Sequence, residues 1–113
     1  MTEGGTRFGW RNRGAEFLDF ADITLRTSRP SGARTEVEKL REGAADYLVF
    51  TWTRGRMVVE WLVLAVPAMC PLLARKWPTK SMGDATFACV PLAALHKAGA
   101  IVNASRGVWN LVH

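Results

Sequence analysis

A chain of 113 residues with a formal charge of +5, 49% hydrophobic and 22% charged, has room for one domain with a packed core, which excludes a disordered polyelectrolyte. The excess charge is diffuse: residues 1–56 hold ten basic and eight acidic side chains, and residues 57–113 hold five and two. Basicity of this kind is compatible with phosphate neutralisation by a nucleic-acid partner but does not require one.

Residues 1–15 are rich in Gly and Arg and read as an arm or loop preceding a single domain over 16–113. In that arm Phe8 and Trp10 sit among Arg7, Arg11 and Arg13. Rings so placed can stack on bases while guanidinium groups hold phosphates, or they can anchor the arm on its own domain or on a second chain. From Phe17 to Thr27 the pattern alternates, with Phe20, Asp22, Thr24 and Arg26 on one face and Ala21, Ile23 and Leu25 on the other, which predicts a strand. Ser28–Arg34 is a turn-rich loop. Thr35 N-caps a short helix through Glu42, with Glu38 in the capping-box position and Gly43 closing it.

The apolar run Met57–Ala74, with Arg54 and Arg56 before it and Arg75 and Lys76 after it, is about long enough to cross a bilayer. Glu60 inside the run, Pro67 and Pro71 across it, and basic flanks at both ends argue against a span. The run divides instead into the second arm of a hairpin and a following helix. Asp46–Thr53 and Met57–Val66 are β-rich, and Arg54-Gly55 supplies the turn. The near-continuous apolar second arm predicts a central strand buried on both faces. Pro67 suits the first turn of a helix whose apolar side carries Leu72, Leu73 and Trp77.

Thr86–Val90 reads as a strand and Pro91–Ala98 as a helix stopped by Gly99. Ile101, Val102, Val108, Trp109 and Leu111 give the last segment the apolar surface of a docked strand or tail. Strands with helices between and after them predict an α+β fold, a small mixed sheet built round the central hairpin with helices packed on it. Cys70 and Cys89 are far apart, and with His96 and His113 as the only imidazoles they do not make the donor set of about four that zinc takes. The N-terminus lacks the apolar stretch of a signal peptide, so a soluble cytoplasmic protein without membrane contact is expected.

Three stretches together resemble the PD-(D/E)XK, or restriction-endonuclease-like, superfamily, in particular its small phage and mobile-element members. They are Asp22-Ile-Thr-Leu-Arg-Thr27, Ser31-Gly-Ala-Arg-Thr-Glu36, and Ala45-Asp-Tyr-Leu-Val-Phe50 with its partner Glu60-Trp-Leu-Val-Leu64. Val90-Pro-Leu resembles the closing strand and helix. The resemblance covers about two-thirds of the chain, and the upstream helix and aspartate strand of the usual core are missing. Carried over by position, the E-x-K motif falls on Thr24-Leu25-Arg26, where a hydroxyl replaces the metal-binding carboxylate and an arginine the catalytic lysine. Hydrolysis needs carboxylates on Mg²⁺ and a lysine that can orient water, so the resemblance implies a non-catalytic, nuclease-like module.

Asp22 and Glu36 are the remaining catalytic candidates, and Asp19, Asp22 and Glu36 the remaining metal candidates. Arg26, Arg29, Arg34, Lys39, Arg54 and Arg56 form the expected phosphate-facing set. The expected partner is nucleic acid or a protein complex bound to it, with homodimerisation as a way to complete the sheet, and no cofactor is expected. Two alternatives stay open: a small protein-interaction or inhibitory factor of a mobile element using its apolar tail, and a weak Mg²⁺-dependent nuclease.

Overall fold

The computed structural model describes residues 2–3, 6–28, 40, 45–82 and 85–112. At its centre, β4 (Tyr47–Arg54) and β5 (Met57–Ala65) form the predicted antiparallel hairpin, with Tyr47 opposite Ala65 and Arg54 opposite Met57. Gly55 takes φ +63° in the turn, a left-handed conformation open to glycine without steric cost. Leu48, Phe50 and Trp52 of β4 and Leu62 and Leu64 of β5 are fully buried on the inner face. Each such side chain contributes about 1.5–3 kcal/mol through removal from water.

The outer half of β5 departs from the expected burial on both faces. Met57 is 71% exposed, and Val58 and Val59 are exposed beside it. The reason is the length of the neighbouring strand: β8 (Ile101–Ala104) pairs with β5 only from Leu62 to Leu64, so the tip of the hairpin extends beyond it.

Thr6–Gly14, expected as an arm, is the nine-residue strand β2. It lies parallel to β4, with Phe8 beside Tyr47 and Gly14 beside Thr53, and at its start it meets the two-residue β1 (Thr2–Glu3). The larger sheet therefore runs β1-β2-β4-β5-β8. Parallel pairing requires a long return, and here the chain passes through a second sheet on the way.

That sheet has the order β3-β7-β6, made of β3 (Asp22–Ser28), β6 (Thr79–Met82) and β7 (Ala85–Pro91). The predicted faces of β3 hold, with Ile23 and Leu25 fully buried. Its start does not: Ala15–Phe20 is a 3-10 helix, and Ala21 at φ +52° turns the chain into the strand. β6 has no counterpart in the sequence reading.

Helix α1 (Val66–Leu73) begins with Pro67 in its first turn and buries Val66, Met69, Leu72 and Leu73. Trp77 lies beyond it and donates its indole N–H to the Leu72 carbonyl at 2.7 Å. α2 (Leu92–Lys97) ends where Gly99 takes φ +74°, and α3 (Arg106–Val112) buries Val108. The inner faces of both sheets and the apolar sides of the helices make one core. The helix predicted over 35–42 lies outside the described residues except Leu40, which is buried in that core. Among the described residues, no helix is long and apolar enough to cross a membrane.

Candidate nucleic-acid interface

Strand alternation sends Phe8, Trp10 and Asn12 of β2 to the face of the larger sheet opposite the core. Tyr47, Val49, Thr51 and Thr53 lie beside them on β4, and Trp61 and Val63 on β5. Phe8 stacks on Tyr47 with ring centroids 5.4 Å apart. Phe8 is 50% exposed and Trp10 65% exposed.

The polar atoms on this face are engaged with one another. Trp10 donates its Nε1–H to Thr51 Oγ1 at 3.1 Å, and Thr51 donates to Asn12 Oδ1 at 2.8 Å. Asn12 in turn donates through Nδ2 to Thr53 Oγ1 at 3.2 Å. Thr51 is 5% exposed, the one buried polar residue among those described. Trp10 is thus held by its single polar atom while its ring stays open to solvent. An indole fixed in this way loses little rotamer freedom when something packs on it.

The arginines of β2 alternate with its rings and leave the strand on the opposite side. Arg7 pairs with Asp46, whose carboxylate Oδ2 lies 3.8 Å from its Nε and accepts its backbone N–H at 2.8 Å. Arg13 is withdrawn: its Nη1 lies 3.2 Å from Asp22 Oδ1 and donates to the Asp22 carbonyl at 2.9 Å, both side chains being largely buried. Arg11 donates from Nη1 to the Trp10 backbone carbonyl at 2.9 Å, while alternation sends its side chain off β2 on the side opposite the Trp10 ring. Desolvation first, and the charge of Arg26 second, push the Arg11 pKa below its ordinary value. Two guanidinium groups therefore lie near one another where β2 passes β3.

No family model, curated protein or solved structure matches this chain. Its surface chemistry has to be read from its own residues.

Of the predicted phosphate-facing set, Arg54 and Arg56 are exposed at the end of the hairpin. Arg26 lies on β3 with its guanidinium 5.3 Å from the centre of the Phe87 ring. Arg29, Arg34 and Lys39 lie outside the described residues, as does Glu36. Asp22 is the ion-pair partner of Arg13, and Asp19 is exposed on the 3-10 helix. Among the described residues, no three His, Cys, Asp or Glu side chains gather as a metal would require. The stretches behind the nuclease resemblance fall in different sheets: Asp22–Thr27 in the smaller one, and Tyr47–Phe50 with Glu60–Leu64 in the larger one.

Sequence reasoning found Phe8 and Trp10 but not Tyr47, Thr51 and Asn12 around them. The signal was present in the two-residue spacing of Phe8, Trp10 and Asn12. Their partners became visible only with the parallel register, because the residues that meet are about forty positions apart.

Proposed function

We propose that this protein is a non-catalytic nucleic-acid-binding module. The observation that carries the reading is Trp10, with an indole that is mostly exposed yet pinned through its N–H, next to the stacked Phe8–Tyr47 pair, on a strand whose backbone also holds the Arg11 guanidinium. Exposed apolar surface rimmed by polar groups is characteristic of binding faces. Aromatic platforms combined with arginines suit bases and phosphates together. The absence of catalysis is inferred from Thr24 and Arg26 at the positions of the nuclease carboxylate and lysine, and from Asp22 being tied to Arg13. A reducing compartment such as the cytoplasm agrees with the free thiols of Cys70 and Cys89.

The test is a salt titration of binding to labelled DNA and RNA. Affinity should fall log-linearly with salt, by a slope of about 0.7 to 0.9 per neutralised phosphate. Absence of binding at low salt would refute the reading. A second reading, a protein-interaction factor that pairs with a partner or with another copy, is supported by exposed Met57, Val58 and Val59 on the part of β5 that β8 leaves uncovered.

A further inference from the structure

We infer that the nucleic acid taken by the outer face of the larger sheet is single-stranded and that it is bound with little regard to sequence. This rests on the nucleic-acid reading above and narrows it. A duplex keeps the flat faces of its bases stacked internally and offers a protein its phosphates and groove edges. Phe8, Trp10 and Tyr47 present rings, not an edge-reading array, so what they complement is an unpaired base.

The spacing fits. Phe8 and Trp10 are two residues apart on one face of β2, about 6.6 Å along the strand, which leaves each ring room for its own base. The polar side chains with the groups to read base edges, Asn12, Thr51 and Thr53, already bond one another and Trp10. Stacking tolerates any base, whereas edge readout does not. Charge complementarity identifies the occupant as a polyanion: the parallel register runs β2 towards the hairpin tip, where Arg54 and Arg56 are exposed, and Arg11 sits on the backbone of β2 at the Trp10 carbonyl.

The hairpin itself is the competing element, because a two-stranded ribbon ending in Arg54 and Arg56 could enter a duplex major groove. Variants separate the two. Fluorescence anisotropy on the full chain would use single-stranded DNA and RNA of about 12 nucleotides, within the site size of such surfaces, mixed in sequence and as homopolymers, and the matching blunt duplexes. The single strands should bind more tightly than the duplexes, with homopolymers within a few-fold of one another. Trp10→Ala should weaken single-strand binding about 5- to 150-fold, the loss of one stacked base, Phe8→Ala should act in the same direction, and Trp10→Phe should restore most of the affinity. Both rings lie outside the core, so a cooperative urea transition with the slope of wild type will show that these variants remain folded. Duplex binding as tight as single-strand binding, lost in Arg54→Ala/Arg56→Ala but indifferent to Trp10→Ala, overturns the inference and leaves the broader function standing. Failure of every probe to bind overturns both.

Discussion

Replacing Thr51 by Val tests whether the exposed tryptophan is held from below. The substitution preserves the β-branched shape and removes only the hydroxyl, which accepts from Trp10 Nε1 at 3.1 Å and donates to Asn12 Oδ1 at 2.8 Å. Two neutral hydrogen bonds at about 0.5–1.5 kcal/mol each set an upper range of about 1–3 kcal/mol. Both partners are exposed side chains, so their released groups return to water and the penalty for a buried orphan does not apply. The added methyl at a position only 5% exposed recovers part of the loss. Thr51→Val should therefore cost about 0.5–1 kcal/mol in urea unfolding. It should also weaken single-strand binding several-fold, because the freed indole must be ordered again at about 0.5–1.5 kcal/mol. Unchanged stability and unchanged affinity together would refute the account. A loss above about 3 kcal/mol would place Thr51 in the core instead of on the outer face.

Trp52 is fully buried and its Nε1–H has no hydrogen-bond partner among the described residues. Trp52→Phe removes an orphan donor worth about 1–3 kcal/mol and opens a cavity of similar cost, so stability should stay within about 1 kcal/mol of wild type, against about 3–5 kcal/mol lost in Trp52→Ala; a loss above about 2 kcal/mol on urea denaturation contradicts this. Glu60 Oε1 accepts from Ser105 Oγ at 2.7 Å and from the Gly107 N–H at 2.8 Å, tying β5 to the start of α3. Glu60→Ala should cost about 2 kcal/mol and Glu60→Gln about half of that, with faster amide exchange at Gly107; unchanged exchange would show that α3 does not depend on this carboxylate. The Cys89 thiol is raised above its ordinary value, by burial first and by the charge of Asp22 second. Its stabilising contribution is then complete below about pH 8.5, the unfolded value, and is lost as pH climbs through the folded value. The unfolding free energy of wild type relative to Cys89→Ala should accordingly fall as pH rises above about 8.5, and a flat difference excludes the shift.

The hairpin was legible because two local signals agreed, the β-rich composition of Tyr47–Thr53 and a glycine where the turn needs a positive φ. The same holds for Ile23 and Leu25, for Pro67 at the head of α1 and for Gly99 after α2. β2 was not legible: glycines and arginines dominate it, and only half of its alternation is apolar. Its partner is β4, reached through a crossover that local pattern cannot show. The 3-10 helix before β3 escaped because Phe17, Leu18 and Phe20 carry strand-like residues, while the bend depends on Ala21 in a left-handed conformation that alanine seldom adopts. β6 reads Thr-Lys-Ser-Met and is recruited by pairing with β7, not by its own pattern. Arg13 and Asp22 illustrate the same limit at the level of a site. In the sequence each is a charged candidate for a ligand, and in the fold each is the other's partner.

β2 adds to the hairpin on the side away from β8, and from Phe8 to Gly14 it has β4 on one side and, among the described residues, no strand on the other. Arginines on such an edge have a structural use, since charged side chains discourage edge-to-edge association. That use does not account for Phe8 and Trp10. Exposed rings on an edge strand promote the association that the arginines oppose, and leaving them in water forgoes about 1.5–3 kcal/mol each of potential burial. Edge protection and binding also make different demands on Arg11. Lysine guards an edge as well as arginine does, but it lacks the planar fork that can bond the Trp10 carbonyl and a phosphate at once. Arg11→Lys should therefore leave the protein as soluble as wild type and weaken its hold on a single strand, whereas equal affinity would reduce the arginines of β2 to guards of the edge.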